Sequence, residues 1–257
     1  MSPPDARHTA YLKLAKTLGQ RTAEFHQALA QPDAAGAFGS EPVSADDIIE
    51  WVNRVQHEMH AMFERLEQAL PQLPEAVWPI ARSLLAARPR LYRRIVRAAA
   101  VRLDARKTRC HGHYHLGQVW LAGNDLLIAN YGGEPGRSWA ERRRKRSPFE
   151  DVADMLTSLS EAGDAALNQV ADNPAETGEA LQRQVDDWAL RARRTFYRSY
   201  RKAMSGHPLH LADAPAAAAL LSLFLAEKAI ARVNDALTQR SGGVDGTIRR
   251  LLRVTQR

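Results

Sequence analysis

The run Cys110-His111-Gly112-His113-Tyr114-His115-Leu116-Gly117-Gln118 leads into Val119-Trp120-Leu121, Ala122-Gly123-Asn124 and Leu126-Leu127-Ile128, and closes on Asn130-Tyr131-Gly132-Gly133-Glu134-Pro135. Two apolar triplets around Ala-Gly-Asn predict two short strands joined by a tight turn, because glycine and asparagine tolerate the backbone such turns need. The polar, histidine-rich run before this hairpin and the glycine-containing run after it predict loops.

On both sides the period changes from two to three or four. Leu12, Ala15, Leu18, Thr22, Phe25 and Leu29 form one stripe, which predicts a helix over Thr9 to Ala30. Ser44 followed by Asp46 and Asp47 is an N-cap signal, and Ile48, Trp51, Val52, Val55, Met59, Met62, Phe63, Leu66 and Leu70 continue it as a helix that stops before Pro71. Another helix, or a close pair, is predicted from about Pro79 to Leu103. Ser147-Pro148 opens a new helix with serine as cap and proline at the first position, carried on by Phe149, Val152, Met155, Leu156 and Leu159. Further helices are expected over about 173–205, 215–240 and 244–254. The prediction is a mainly α fold with one central hairpin, in a single domain over residues 1–257.

Composition narrows the class. A hydrophobic fraction of 45% and a charged fraction of 25% in 257 residues suit a globular chain with a substantial core. The single cysteine, Cys110, cannot form an intrachain disulfide, and the N-terminus shows no apolar run of signal-peptide type. The apolar run from Ala216 to Ala226 is too short to span a bilayer and is expected to be a buried helix. The expectation is a cytoplasmic protein without a membrane segment. The net charge of +7 gathers at Arg88 to Arg109, Arg142 to Arg146 and Arg191 to Lys202. Such runs are read first as solvated helix faces.

The histidine loop and the run from Asn130 to Pro135 resemble the aminoglycoside-phosphotransferase-like kinases, which share the protein-kinase-like fold, and among them the maltokinases. Their loop reads His-Gly-Asp-x-His-x-Gly-Gln, and the next strand ends in Ile-Asp-Phe-Glu-Gly-Glu-Pro. The block from Glu141 to Met155, with Lys145-Arg146-Ser147-Pro148 and Asp151-Val152-Ala153, is similar to the family's next block. Leu18 to His26 resembles the first helix of the family's C-terminal lobe, and Phe224 to Ala229 a block near its C-terminus. The likeness implies a kinase-like C-lobe that begins without the N-terminal ATP-binding lobe.

The resemblance implies ATP-dependent phosphorylation of maltose, or a related α-glucoside, to maltose 1-phosphate in trehalose and glycogen metabolism, with Mg-ATP as cofactor. It places the catalytic carboxylate at His113, beside His111 and His115. It places the Mg-ATP contacts, and hence the metal ligands, at Gln118 and Asn130. Gly112, Gly117, Ser147, Pro148 and Asp151 correspond to scaffold positions. The amide is kept, but both carboxylates are replaced, by His113 and Asn130, and Gly132 stands where glutamate is usual. A neutral amide oxygen is a poor ligand for a hard dication, and the charge on the phosphates carries most of the catalytic effect. The implied function is therefore a catalytically impaired maltokinase-like domain, a pseudokinase or a remnant. Its implied partners are an N-lobe-bearing chain, a trehalose synthase or a second copy of itself.

Two other readings stay open. One is an active kinase module that uses His113 and Gln118 with an N-lobe supplied in trans. The other is a nucleic-acid or metal binder. In an extended chain His111, His113 and His115 would share a face, as zinc ligands can. The basic runs with Phe196, Tyr197 and Tyr200 could grip nucleic acid, although helical spacing favours packing of those rings.

Overall fold

The computed structural model describes residues 3–33, 36–100, 104–123, 125–133, 136, 138–171, 179–239 and 243–256. The turn residue Asn124 and the loop residues Glu134 and Pro135 lie outside them, as do 101–103 and 173–178 at the ends of two predicted helices. Eight helices dominate: α1 (Pro3–Leu29), α2 (Ala45–Ala69), α3 (Trp78–Arg97), α4 (Trp139–Arg143), α5 (Pro148–Ala171), α6 (Glu179–Met204), α7 (Ala214–Gln239) and α8 (Val244–Gln256). Four short strands are β1 (Glu41–Pro42), β2 (Arg106–Lys107), β3 (Val119–Ala122) and β4 (Asp125–Ile128).

The predicted hairpin is present as β3 and β4, antiparallel, with Val119 opposite Ile128 and Trp120 opposite Leu127. It is not alone. β1 and β2 form a second antiparallel pair, Glu41 opposite Lys107 and Pro42 opposite Arg106. An isolated bridge joins Thr108 to Arg146. A two-residue ladder has no measurable alternation and contains a proline, so it leaves no period in the sequence. The five-residue helix α4 was equally silent, although Ser138 and Glu141 cap it reciprocally.

The chain divides into two compact units, residues 1–42 with 105–210, and residues 43–104 with 211–257. In the first, α1 lies against α6 at very close range. A Cβ on Gly19 would stand 2.3 Å from the Phe196 carbonyl oxygen and 2.9 Å from the Ser199 Cβ. Ser199 Oγ donates to the Lys16 carbonyl at 2.7 Å, and Gln27 Nε2 donates to the Ala203 carbonyl at 2.9 Å. Ala15, Leu18, Ala23, Phe196 and Tyr200 are buried, so the predicted packing role of the α6 aromatics holds for Phe196 and Tyr200. Helix α5 starts where expected, with Phe149 N donating to Ser147 Oγ at 3.3 Å.

The second unit is purely helical. Ser44 and Asp47 form a capping box at the start of α2. Its core gathers Trp51, Met59, Phe63, Leu84, Leu91, Ile95 and Phe224, with the Trp51 and Phe224 rings 5.5 Å apart. Arg54 holds Glu227 through Nε at 2.7 Å. Helix α3 runs through Pro89, whose missing N–H falls on an exposed side of the helix, where water can serve the orphaned carbonyl. Helix α7 is, among the described residues, the one helix long and apolar enough to cross a membrane, and over half of that stretch is buried. It is longer than its apolar run suggested, and its buried Ala217, Leu220, Phe224 and Ile230 mark it as the core helix of this unit.

Candidate active site of a kinase-like fold

The histidine loop hangs from one buried carboxylate. Asp151, in the first turn of α5 and fully buried, accepts from His111 N at 2.7 Å and Gly112 N at 2.9 Å. It also meets His26 Nε2 of α1 at 3.1 Å, and His26 Nδ1 lies 3.1 Å from the Tyr200 hydroxyl of α6. Three helices therefore converge on the start of the loop. Burial opposes ionisation of Asp151, but the His26 hydrogen bond, its nearby charge and the two backbone N–H groups outweigh it and hold the carboxyl below its ordinary range. Gly112 follows with φ of 75°, a backbone that disfavours any side chain.

The rest of the loop is fixed in the same way. His111 is buried and donates from Nε2 to the Ala129 carbonyl at 2.9 Å, while its Nδ1 is buried without a hydrogen-bond partner. Tyr114 is buried with its hydroxyl 2.8 Å from Thr22 Oγ1, which donates onward to the Leu18 carbonyl. Tyr114 therefore donates to Thr22, and burial pushes its phenol up. Leu116 N donates to Ser158 Oγ of α5 at 3.0 Å. The His115 ring lies across Gly117, whose added Cβ would meet it at 2.9 Å, so a side chain there would have to displace the ring. Burial also pushes the Cys110 thiol up, and its sulfur faces the Thr108, Arg146 and Ser147 carbonyls rather than a reaction partner.

The chemical end of the loop is a row of neutral groups. Gly117 N–H donates to His115 Nδ1 at 3.1 Å, Gln118 Nε2 lies 3.2 Å from His115 Nε2, and Asn130 Nδ2 lies 2.8 Å from Gln118 Oε1. A neutral imidazole that accepts on Nδ1 carries its proton on Nε2, which must face an acceptor. Turning both amides round satisfies all three groups, with His115 donating to Gln118 and Gln118 to Asn130. Asn130 sits in left-handed backbone, φ 59°, directly after the ladder bond from Ala129 N to the Gln118 carbonyl. His113 is half-buried with its ring 4.7 Å from that of His115, edge to face, and makes no hydrogen bond among the described residues.

The structure therefore brings His111, Gly112, His115, Gly117, Gln118, Asn130 and Asp151 together around one loop. Ser147 and Pro148 stand one step behind, starting α5. The three histidines do not form a ligand set. His111 and His115 spend ring nitrogens on the protein, and no three His, Cys, Asp or Glu side chains converge among the described residues. The residues implied to hold magnesium do not fit it, since Gln118 and Asn130 are neutral amides bonded to one another, and no metal-binding cluster of carboxylates or histidines lies beside them among the described residues. His26 and Tyr200 were missed as site residues. Their only signal was a polar residue on an apolar stripe, and one ring among several at helical spacing.

No protein-family model matches the chain. It is 27% identical over 195 residues to a glucosamine kinase of Streptacidiphilus jiangxiensis, an alignment covering 74% of this chain and 38% of that protein. It superposes on the solved structure of a glucosamine kinase in complex with glucosamine, ADP and inorganic phosphate, with a TM-score of 0.69 and 24% identity over 95% of this chain and 51% of that one. The fold is kinase-like. A second glucosamine kinase crystal structure gives TM-score 0.69 at 23% identity, covering 95% of this chain and 50% of that one. The chain thus spans about half the length of the kinases it matches. Kinase-like relatives that act on a sugar are supported by both sequence and fold, and the relatives named here are glucosamine kinases.

Proposed function

We propose that this chain is the catalytic-loop half of a sugar-kinase-like protein, corresponding to a kinase C-lobe, in which phosphoryl transfer is impaired. The observation that carries the reading is the loop itself. Asp151 holds its backbone in place, and Gln118 and Asn130 meet at its far end, but histidine and asparagine, not carboxylates, stand at the reacting positions His113 and Asn130. Scaffold is kept where charge is lost. Transfer to a sugar hydroxyl depends on positioning and on charge stabilisation at the phosphates, so an intact scaffold with no carboxylate supports binding without efficient chemistry.

Maltose and glucosamine are the two sugars to test, the first from the resemblance of the loop blocks and the second from the named relatives. The chain is incubated with Mg-ATP and each sugar, alone and with the remaining half of the Streptacidiphilus relative supplied as a separate polypeptide, and products are followed by phosphorus NMR. No sugar phosphate is expected from the unmodified chain in either mixture. The His113→Asp/Asn130→Asp double variant is expected to gain product when the second polypeptide is present. Product from the unmodified chain would establish an active enzyme with His113 as proton acceptor, and overturn the proposal of impaired transfer.

A further inference from the structure

We propose that the first unit carries a second site, for small ligands bearing phosphate groups, in the basic cleft between the 106–109 strand and the 143–146 segment. This cleft has a volume of 630 Å³, and Lys107, Arg109, Arg143, Arg144 and Lys145 line it, with Glu41 as the acidic residue among its lining. Lys145 Nζ is 2.7 Å from Glu41. Arg109 and Arg143 have aromatic rings as their neighbours and no acidic partner among the described residues.

Backbone geometry forces these charges together. Thr108 N donates to the Arg146 carbonyl at 2.9 Å, and Arg146 N returns the bond to the Thr108 carbonyl at 2.7 Å. Two basic runs some forty residues apart in sequence are thereby stapled side by side, against their mutual repulsion. An anion lying between them removes that repulsion and gains attraction from both sides. The guanidinium groups are also pre-positioned. Arg109 lies 4.8 Å over the Phe38 ring, and Arg142 and Arg143 lie 5.3 and 5.8 Å over Trp139. Trp139 itself is 71% exposed, and the Ser138–Glu141 capping box fixes the start of its helix. An exposed tryptophan that orders two arginines lowers the entropy lost when they close on a phosphate.

A neighbouring cleft of 460 Å³ shares Arg109, Trp139 and Arg143 with the first, adds Phe25, Leu29 and Tyr131, and reaches Asn130 at its far side. The pair therefore offers cations for a phosphate and an apolar, aromatic wall for whatever is esterified to it. That favours a phosphate ester over inorganic phosphate, and the two sources are separated by experiment.

The inference stands whether or not the chain transfers phosphate, and its test uses no nucleotide or acceptor sugar. The full chain is titrated calorimetrically at low salt with inorganic pyrophosphate and, separately, with glucose 6-phosphate. Saturable binding of at least one is expected, weakened about tenfold or more in Arg109→Gln/Arg143→Gln. It is expected to change less than about twofold in Arg90→Gln/Arg93→Gln, which removes equal charge from the exposed side of α3. It is likewise expected to be kept in His113→Ala/Gln118→Ala, whose residues line neither cleft. Absence of saturable binding of both ligands to the unmodified chain overturns the proposal. So does equal loss in the α3 variant, which would make the effect general charge, or loss in the His113/Gln118 variant, which would put the anion at the catalytic-loop position. Circular dichroism confirms that each variant keeps its helices.

Discussion

Asp151 accepts hydrogen bonds from three groups on two sides of the loop, and its loss exposes a conflict rather than a gap. In Asp151→Asn an amide NH2 replaces one oxygen among three N–H donors, inside a site with no water access. The expected cost is about 3 kcal/mol, read as a drop in the urea midpoint. The pH dependence has a definite sign. Because the folded value lies below the ordinary one near about 4, the unfolded chain binds the proton more readily in acid. The stabilisation is complete above the ordinary carboxylate range and is lost as pH falls through the depressed folded value. Asp151→Asn should therefore flatten that acid limb, and an unchanged limb would show that Asp151 is not its source. Tyr200→Phe removes only the outer link to His26 and is expected to cost about 1 kcal/mol. His111 and Gly112 in the loop block and Asp151 in the block after it were implied by the resemblance to the kinase family. His26 was not, because a histidine on a buried stripe has the same pattern as any core residue until its partner in another helix is known.

The same distinction between local and distant signals governs the elements. The hairpin and the six long helices other than α4 and α8 were readable because each carries its own period, caps or proline boundaries, and α8 was readable as a short segment of the same kind. The β1–β2 ladder and the Thr108–Arg146 bridge were invisible, because what makes them is the approach of segments far apart in sequence. Gly19 is a further case. Nothing in the α1 stripe says that α6 approaches closely enough to forbid a methyl group there. Gly19→Ala must push the Phe196 backbone carbonyl away and is expected to destabilise by roughly 1–3 kcal/mol. Gly163→Ala supplies the contrast. Its Cβ would meet the Val185 Cγ1 at 3.0 Å, a side-chain atom able to yield, and alanine improves helix propensity by up to about 1 kcal/mol. That variant should be close to neutral. Equal losses in the two would mean that helix approach is not what sets the cost at Gly19.

At the scale of the whole molecule, charge decides how far the kinase likeness reaches. The chain carries a formal net charge of +7, which disfavours dications everywhere unless local carboxylates reverse the field. A kinase-like fold does this at its reacting centre, whereas in this chain the equivalent row is His113, His115, Gln118 and Asn130, with no acid among them. Sequence reading placed both replacements inside a recognisable motif; it could not show that Gln118 and Asn130 spend their amides on each other, which depends on the hairpin register. The consequence is measurable without nucleotide, sugar or any second polypeptide, using manganese as a paramagnetic stand-in for magnesium. Electron paramagnetic resonance of the unmodified chain should show no saturable manganese binding. His113→Asp/Asn130→Asp, which lowers the net charge by two and places one carboxylate beside Gln118, should bind it saturably in the millimolar range. Gln118→Ala in that background should weaken the binding again, since it deletes a ligand without changing charge. If the unmodified chain binds manganese as well as the double variant does, the metal site does not depend on these carboxylates, and the account of impairment fails with it.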